Sequence, residues 1–466
     1  MTRLGFWPAA AIATSLIAWN IDRNSVWFAE SASIMFARLP LNALYAQLRH
    51  VDASFALYYT LLHFWMRAAH STVGIRLLSA IFALAALGFT YLATARFASR
   101  RRAAIACVIL AVIPAFTGYA IEARAYSLAI CACAAVLWTM GEYMTSSRRT
   151  WLLPMFFAMT VALYAEPFTF AFLAVAAGAL PVIWRNRRAM LAPAGVLTLA
   201  LIAYLPVLRL VLAQGPRQIS WMLPPSWSQA DTFVWAALGG VAWGWPAAAT
   251  IASLTAYTIA VSRGEERRTM VWLAACMVIP VVAVVAASWI KPMLAGRYVA
   301  TAMLPAAICC GAAVDHLLFR GRTFAIIVAA LAAFAVLNLA AYAPYPNEHY
   351  RQAVSYLNFH APPGDPIVVY GSYVANPVAY AFSEGGKSPA NVLYVRRYLW
   401  GKLAYTGALF TPAQRTWMRS HPRVWLIRLK ARGPTDVQLE FLDSRATLKR
   451  IPIDRQLEID EYLMHS

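Results

Sequence analysis

The chain has 466 residues, of which 61% are hydrophobic and only 13% are charged, and its formal net charge is +20 at pH 7. Soluble proteins average about 25% charged and about 45–50% apolar residues, so this composition excludes a wholly soluble protein and predicts a polytopic α-helical membrane protein. Such a charge in a soluble protein would suggest nucleic acid binding. Here many basic residues lie in short loops between apolar runs, which is typical of the positive-inside rule. We therefore expect membrane lipid, and no nucleic acid, as a partner.

Apolar runs of about 20 residues, the length that a bilayer requires, predict eleven transmembrane helices. The predicted spans are 4–20, 73–95, 103–120, 126–144, 151–166, 168–184, 190–212, 232–260, 270–289, 299–317 and 323–342. Basic clusters such as "ARFASRRR" (95–102) and "RGEERR" (263–268) all fall on one side if the N-terminus is cytoplasmic. The C-terminal region then lies on the opposite, outer side.

The first outer loop, 21–72, is long and too apolar to be simply solvated. Its segments "PLNALYAQLRH" (40–50) and "FALYYTLLHFWMRAAH" (55–70) suit helices that lie in the membrane interface. A tilted spanning helix is the alternative for the second segment. We reject it because it would place the later basic clusters outside.

The region 344–466 changes character and predicts a small extracytoplasmic α/β domain. "NEHYRQAVSYLNF" and "TPAQRTWMRSHP" read as helices, and "PIVVYG" and "RVWLIRLKA" as strands. The predicted domains are therefore 1–343, a transmembrane domain that includes the loop 21–72, and 344–466. All six cysteines lie in apolar runs, without disulfide or zinc spacing.

Four stretches with polar residues meet on the predicted outer face. They are "WFAES" (27–31), "HVDASFALYY" (50–59), "YAIEARAYSL" (119–128) and "KPMLAGRY" (291–298). Any single charge there is more often a snorkelling or structural group, but charges that are not simple anchors are candidates for function. Their convergence on one face favours a site that contains Glu30, Asp52, Glu122, Arg124, Lys291 and Arg297.

The segment "EARAY" has two alternative geometries. In a helix, Glu122 and Tyr126 would share a face and Arg124 would point away. In an irregular turn between helices, all three side chains can point into one cleft. Irregular backbone at a membrane is tolerated only where it is buried or lines a water-filled cavity, so this alternative favours a site.

The stretches "SVWFAES", "ALYYTLLHFWMRAAHSTVGIRLLSA", "IPAFTGYAIEARAYSLAI" and "KPMLAGRYVATAMLPA" resemble the GT-C membrane glycosyltransferases of the family 39-like type. Protein O-mannosyltransferases and lipid A aminoarabinose transferases are similar proteins. The resemblance covers about residues 1–345. It implies a GT-C fold and an inverting transfer from a polyprenyl-phosphate sugar donor to an acceptor hydroxyl. The implied location is the outer face of a bacterial cytoplasmic membrane.

The resemblance also implies an Asp-Glu pair after the first helix, in which the Asp acts as general base. By position Glu30 matches the Glu, and Ala29 stands where the Asp is expected. Alanine cannot accept a proton. Either Asp52 or Glu30 is the base here, or residue 29 was changed deliberately from Asp, or the protein has lost activity. The first two explanations are favoured over the third.

The leaving group in such a transfer is a lipid phosphate, whose negative charge needs cations or oriented dipoles. Arg124, Lys291 and Arg297 are the candidate cations, and Tyr126 and Tyr298 could add hydroxyl donors. No cofactor is expected. A divalent metal at paired carboxylates is not favoured, because relatives with monophosphate donors are considered metal-independent. The same stretches supply further candidates for the cleft: Glu122, Tyr58, Tyr59 and His50.

Three other functions are alternatives to the transferase. A transporter or flippase would place polar groups near the bilayer midplane, whereas these charges collect at span ends; Glu166 in "LYAEPF" is the nearest exception, at a predicted outer edge. A catalytically inactive lipid-binding relative is supported by Ala29 alone. A ligase that uses a diphosphate donor is excluded only by the resemblance.

Overall fold

The computed structural model describes residues 5–183, 191–219, 222–238, 244–318, 330, 333, 336, 349–384, 391–395, 398–399, 402–403, 410–430, 446–454 and 457–464. The chain forms two compact units. The first comprises Met1–Ile21, Leu41–Ala69 and Val73–Ala341, and the second comprises Asp22–Pro40, His70–Thr72 and Tyr342–Ser466. The second unit therefore includes part of the predicted first outer loop as well as the C-terminal region.

Helices dominate the chain up to residue 318. In order they are Trp7–Asn20 (α1), Phe28–Ala37 (α2), Leu41–Leu48 (α3), Ala56–Trp65 (α4), Thr72–Phe97 (α5), Arg100–Val112 (α6), Pro114–Ala120 (α7), Tyr126–Ser146 (α8), Leu152–Ala165 (α9), Thr169–Gly178 (α10), Leu180–Ile183 (α11), Ala192–Gln218 (α12), Trp227–Leu238 (α13), Gly244–Val261 (α14), Gly264–Ile290 (α15) and Met303–Leu318 (α16). Short 3₁₀ helices cover Ala53–Phe55, Arg149–Trp151 and Gly296–Ala302.

The protein is a multi-pass membrane protein. Within the described residues five helical stretches are long and apolar enough to span a bilayer, namely Thr72–Phe97, Tyr126–Ser146, Ala192–Gly215, Gly264–Ile290 and Gly296–Leu318. The pair α6 and α7 adds a sixth if it is one span, bent by 71°. Pro114 opens α7 at this bend, where a proline is suited to a first turn but cannot continue the preceding helix.

The predicted count of eleven spans is not confirmed. The predicted spans 151–166 and 168–184 correspond to shorter apolar helices, Arg149–Ala165 and Thr169–Gly178. The predicted span 232–260 corresponds to α13 and α14, and residues 239–243 between them lie outside the described part. The predicted span 323–342 also lies outside it, except for residues 330, 333 and 336.

Small residues allow close helix packing in the first unit. At Gly311, in α16, an added Cβ would lie 2.9 Å from the Cα of Ala106 in α6, so glycine lets the two backbones approach. All six cysteines are buried and free, as predicted for small apolar core residues. Helices α3 and α4 occupy the two segments for which the sequence predicted short helices.

The second unit contains an α/β region in its C-terminal part. Its helices are Tyr350–His360 (α17), Ser372–Glu384 (α18) and Pro412–Arg419 (α19). Its strands are Ile367–Tyr370 (β1), Val392–Val395 (β2), Tyr398–Leu399 (β3), Lys402–Leu403 (β4), Arg423–Leu429 (β5), Ala446–Pro452 (β6) and Leu457–Met464 (β7). The main sheet has the order β2-β1-β5-β7-β6, and β3 pairs with β4. Strands β2, β1 and β5 are parallel, whereas β7 runs antiparallel to β5 and β6.

Four predicted elements of this region are confirmed: α17, β1, α19 and β5. The first turn of α19 shows why the local sequence was enough to predict this helix. The Thr411 hydroxyl accepts a hydrogen bond from the Gln414 N–H at 3.2 Å, and the Gln414 amide oxygen accepts one from the Thr411 N–H at 2.9 Å. This reciprocal arrangement is a capping box, which satisfies two otherwise unpaired donors at the helix start.

Candidate active site

Asp52 lies in a tight turn between α3 and the 3₁₀ helix Ala53–Phe55. Its backbone is left-handed, with φ 57° and ψ 27°, a conformation that Asp tolerates better than most residues. Gln214 of α12 holds the turn. Its side-chain oxygen accepts a hydrogen bond from the Ala53 N–H at 3.0 Å, and its amide nitrogen donates to the Leu48 carbonyl at 2.9 Å. The turn is therefore fixed by a residue more than 150 positions away.

The Asp52 carboxylate is positioned by two side-chain donors. The Tyr59 hydroxyl donates to Oδ2 at 3.2 Å, and the Gln218 amide donates to Oδ1 at 3.3 Å. Burial raises the pKa of the Asp52 carboxyl above its ordinary value, and Arg124 and the Tyr59 hydroxyl oppose this rise. A carboxylate whose pKa is raised towards the working pH is a better proton acceptor at that pH.

Arg124 lies in an irregular turn between α7 and α8, the backbone of the second geometry considered for "EARAY"; that the Glu122 side chain shares a cleft with it stays a prediction. The side chain is buried, with 7% exposure. Its Nη1 donates to the Tyr59 hydroxyl and its Nη2 to the Tyr126 hydroxyl, both at 3.4 Å. The guanidinium also lies over the ring of Phe55, 4.5 Å from its centre, where a cation–π attraction stabilises it.

Tyr59 links the carboxylate to the arginine. Because its hydroxyl donates to Asp52 and accepts from Arg124, the three side chains form one hydrogen-bonded chain. Tyr58 is placed differently. Its hydroxyl lies 2.8 Å from that of Ser79, whose hydroxyl in turn donates to the Arg124 carbonyl at 3.3 Å. Tyr58 therefore supports the backbone of the turn rather than its charged groups.

Arg297 and Tyr298 begin the last described span, in the 3₁₀ helix Gly296–Ala302. A Cβ at Gly296 would lie 2.3 Å from the backbone nitrogen of Ala237, so this approach requires glycine. Tyr298 stacks on Phe168, with ring centres 3.8 Å apart and planes at 13°. Arg297 interacts electrostatically with Arg124 and with Tyr126. The structure therefore brings two predicted phosphate-binding arginines together.

Glu166 is a member of this cluster to which the sequence assigned no role. It lies in the turn between α9 and α10, and its side chain is 4% exposed. Its Oε2 has no hydrogen-bond partner among the described residues. Burial raises the pKa of the carboxyl to about 7, against the opposing effects of Arg297, the Phe168 N–H and Arg124. A lone carboxylate between two apolar helices was the signal that could have found it.

The other predicted residues of the first unit take varied positions. Lys291 directly follows α15 and is half-buried. Glu122 is half-buried in the Arg124 turn, where its carbonyl accepts a hydrogen bond from the Arg124 N–H at 2.7 Å. His50 is exposed beside the Asp52 turn. The roles of these three residues stay predictions.

Ala29 and Glu30 belong to the second unit, in the first turn of α2. Glu30 is fully buried and Ala29 is half-buried. Within that unit α2 packs on α18, where the rings of Phe28 and Tyr373 lie 4.6 Å apart. The predicted convergence of Glu30 with the Asp52 turn stays a prediction.

Two further observations describe the surroundings. No group of three or more His, Cys, Asp or Glu side chains that could hold a metal ion occurs among the described residues. An open depression of about 660 Å³ is lined by Trp227, Ser228, Asp231 and Trp245, and none of the predicted site residues is part of that lining. The charged cluster therefore identifies the candidate site better than the shape of the surface does.

Comparison with solved structures defines the fold as that of the GT-C glycosyltransferases. ArnT from Cupriavidus metallidurans in the apo state is similar with a TM-score of 0.61 and 13% identity, over 98% of this chain and 97% of that chain. The structure of the same protein bound to undecaprenyl phosphate is similar with a TM-score of 0.56 and 14% identity, over 97% of both chains. The oligosaccharyltransferase AglB from Archaeoglobus fulgidus was solved in complex with an inhibitory peptide and a dolichol-phosphate. It is similar with a TM-score of 0.52 and 12% identity, over 90% of this chain and 68% of that chain.

At sequence identities this low, the structural similarity shows that the fold is shared and nothing more. No protein-family model and no curated protein sequence matches the chain. The GT-C fold that the resemblance implied is confirmed.

Proposed function

We propose that this chain is an inverting GT-C glycosyltransferase that moves a sugar from a polyprenyl-phosphate donor to an acceptor hydroxyl. The observation that carries the proposal is the hydrogen-bonded chain from Asp52 through Tyr59 to Arg124, with Arg297 beside it. It places a proton acceptor next to the buried Arg124, with the half-buried Arg297 near that arginine. Inverting transfer from a lipid phosphate needs both functions in one site, the proton acceptor on the side of the attacking hydroxyl and the cations on the side of the leaving phosphate.

Asp52 is the proposed general base. It accepts the proton of the acceptor hydroxyl as the oxygen attacks the anomeric carbon. The bond between that carbon and the phosphate oxygen breaks, and its electron pair leaves with the polyprenyl phosphate. Attack from the face opposite the leaving group inverts the configuration. Because Ala29 has no proton acceptor, a base at Asp52 also explains how the reaction proceeds without an Asp at position 29.

Arg124 and Arg297 are the proposed phosphate-binding residues. Arginine presents forked donors that match phosphate oxygens, and a buried site strengthens their attraction to the developing charge. The hydroxyls of Tyr126 and Tyr298 are further donors, and Lys291 is a third candidate cation. The proposed chemistry requires no metal ion. Two proteins of the same fold were solved with lipid phosphates, undecaprenyl phosphate in ArnT and dolichol-phosphate in AglB.

The proposed setting is the outer face of a bacterial cytoplasmic membrane. The basic clusters between apolar runs support an N-terminus in the cytoplasm, which places the C-terminal α/β region outside. We retain eleven spans as the proposed topology. The acceptor hydroxyl would then belong to an envelope glycan, a glycolipid or a protein.

Release of polyprenyl phosphate from a labelled polyprenyl-phosphate sugar tests this proposal. Protein purified in lipid nanodiscs should release it only when an envelope extract supplies the acceptor. Ala29→Asp should add nothing if Asp52 is the base. If Ala29→Asp restores turnover to an inactive protein, residue 29 is the base and the Asp52 assignment is wrong. If neither protein turns over any lipid-linked sugar tested, the transferase proposal is wrong.

A further inference from the structure

Glu166 is a buried carboxyl group that the proposed reaction does not use. Its side chain is 4% exposed, and Oε2 has no hydrogen-bond partner in the described part of the chain. An ionised carboxylate is costly to bury unless it is paired and hydrogen-bonded. A carboxyl that keeps one oxygen without a donor therefore calls for a functional reason.

Charged and titratable groups from three neighbouring parts of the chain interact with Glu166. Arg297 and Tyr298 come from the 3₁₀ helix, Arg124 from the turn before α8, and Tyr204 from α12. The Tyr204 hydroxyl also has no hydrogen-bond partner among the described residues. The stack of Tyr298 on Phe168, two residues after Glu166, holds the turn against the 3₁₀ helix. The carboxyl is therefore fixed beside the proposed phosphate site.

The charges of this cluster balance when no ligand is bound. Arg124 and Arg297 contribute two positive charges, and ionised Asp52 and Glu166 contribute two negative ones. A polyprenyl-phosphate sugar is a phosphodiester and adds one more negative charge. A net charge in a buried site is unfavourable, and the usual response is that a nearby group changes its protonation state.

Glu166 is better placed than Asp52 to become neutral. Asp52 accepts hydrogen bonds from Tyr59 and Gln218, and donors of this kind favour the ionised form. Glu166 has one oxygen without such a donor. Like charges close to a carboxylate also favour its protonation, and a phosphodiester beside Arg297 would be such a charge.

We propose that Glu166 takes up one proton from the solvent when the phosphodiester of a lipid-linked donor binds beside Arg124 and Arg297. The proton keeps the site neutral while both arginines contact the phosphate. Glu166 is in this account a positioning residue, because it acts through the arginines and does not touch the reacting atoms. The inference rests on the proposed function, since it requires that the ligand be a lipid phosphate.

The proposal fixes the direction of the pH dependence. The pKa of Glu166 in the ligand-free protein is about 7, and a bound anion raises it. Below about pH 6 the carboxyl is already protonated and binding takes up no proton, whereas near pH 8 binding takes up about one. Affinity should therefore fall as the pH rises above about 7, by about tenfold per pH unit while the bound carboxyl stays protonated.

Titration calorimetry in buffers of different ionisation enthalpy measures this proton directly. The probe is undecaprenyl methyl phosphate, a phosphodiester that carries one charge throughout this range. In the wild type we expect uptake of about one proton near pH 8, and in Glu166→Gln none. Glu166→Gln should bind the probe at about pH 8 as tightly as the wild type does at about pH 6, because the amide resembles the protonated acid.

Two variants serve as controls. Glu265→Gln makes the same change at an exposed carboxylate of the same unit and should keep the uptake. Glu166→Asp keeps a titratable group and should also take up a proton, which guards against a folding defect in Glu166→Gln. A protonated carboxylic acid band in the infrared difference spectrum should appear with ligand in the wild type and be missing from Glu166→Gln.

The outcomes separate this inference from the proposed function. Binding without proton uptake in the wild type, or uptake that persists in Glu166→Gln, overturns the role of Glu166 and leaves the phosphate site standing. If neither protein binds the probe at any pH, the proposed phosphate site is wrong and the role of Glu166 falls with it.

Discussion

Two clusters of charges, each with a buried carboxyl group (Asp315 in one, Glu166 in the other), lie near the two ends of the span Gly296–Leu318, and their arginines have different partners. Near the end, Arg102 donates from Nε to Asp315 at 3.1 Å and from Nη1 to Glu266 at 2.5 Å. Near the start, Arg124 donates to tyrosine hydroxyls at 3.4 Å. The first arginine makes short, charge-assisted bonds, which are the strong ones.

The comparison teaches what separates a structural ion cluster from a ligand site. The carboxylates of the Arg102 cluster are bound directly by its arginine, so an entering anion would have to break ion pairs. In the other cluster the bonds from Arg124 to Tyr59 and Tyr126 are long. Oε2 of Glu166 and Oδ1 of Asp315 both have no hydrogen-bond partner in the described part of the chain, but Oδ1 of Asp315 lies 2.8 Å from Nε of Arg101 in an ion pair. The long bonds from Arg124 to the two tyrosine hydroxyls can be exchanged for bonds to a phosphate. The following predictions, in decreasing order of effect, test this difference.

The largest effect should come from the two aspartates. We expect Asp52→Asn to lower kcat by about 10³-fold, since a positioned general base contributes about 10²–10⁴-fold, with thermal stability nearly unchanged. Asp315→Asn should lower the melting temperature and leave the kcat of the folded protein near that of the wild type. For each variant, the release of polyprenyl phosphate measures kcat and a thermal unfolding experiment measures the melting temperature. The opposite pattern would reverse the assignment of the two clusters.

The two arginines should differ in the same way. Arg124→Ala should weaken donor binding by about 100-fold, because a charge-assisted hydrogen bond is worth about 1.5–3 kcal/mol and the arginine makes more than one. Arg102→Ala should instead lower the free energy of unfolding by about 1 kcal/mol, since the part-exposed Glu266 loses its ion pair while Asp315 keeps its ion pair with Arg101. The KM values for donor and acceptor provide the check. Equal loss of both in Arg124→Ala would contradict the phosphate-binding role.

A smaller effect should follow from Gly296→Ala. Its Cβ would lie 2.3 Å from the Ala237 nitrogen, so the 3₁₀ helix must shift and carry Arg297 with it. We expect about tenfold weaker donor binding, because small displacements of a positioned group are costly. Gly88→Ala is the matched control, since nothing lies within 4 Å of its added Cβ. Unchanged donor affinity in Gly296→Ala would show that the place of Arg297 is not critical.

The smallest effect should be a shift in the pH profile. The Tyr59 hydroxyl lowers the pKa of Asp52, so Tyr59→Phe should raise that pKa. Because the base must be ionised, the rising limb of kcat/KM against pH should move to higher pH. Tyr58→Phe should leave the limb in place, since the Tyr58 hydroxyl pairs with Ser79. Equal shifts in the two variants would rule out a specific Tyr59 contact.

The sequence predicted those parts of the fold that depend on local patterns. Helix α19 could be predicted because Thr411 and Gln414 form its capping box. Strand β7 was missed because its alternating acids look solvent-exposed. In the structure Asp460 is fully buried and accepts a hydrogen bond from Arg428 at 2.7 Å, a pairing with a neighbouring strand that a local pattern does not reveal.

The candidate site shows the same limit. The turn around Arg124 was predicted from charges beside apolar helices, and Asp52 was named because it lies in one of the four polar stretches of the predicted outer face. Glu166 and Gln214 were not assigned roles, because each acquires its place through contacts far along the chain. Glu166 meets Arg297, and Gln214 holds the Asp52 turn. Such meetings depend on how the helices pack, which apolar periodicity does not determine.

The central claim is that the cluster containing Arg124 and Arg297, unlike the one around Arg102, binds a lipid phosphate. A cryo-electron microscopy structure of the protein with undecaprenyl phosphate tests it most directly. We expect the phosphate within hydrogen-bond distance of both Arg124 and Arg297, and the Arg102 cluster unchanged. A phosphate bound elsewhere, with Arg124 still held by the Tyr59 and Tyr126 hydroxyls, would contradict the account.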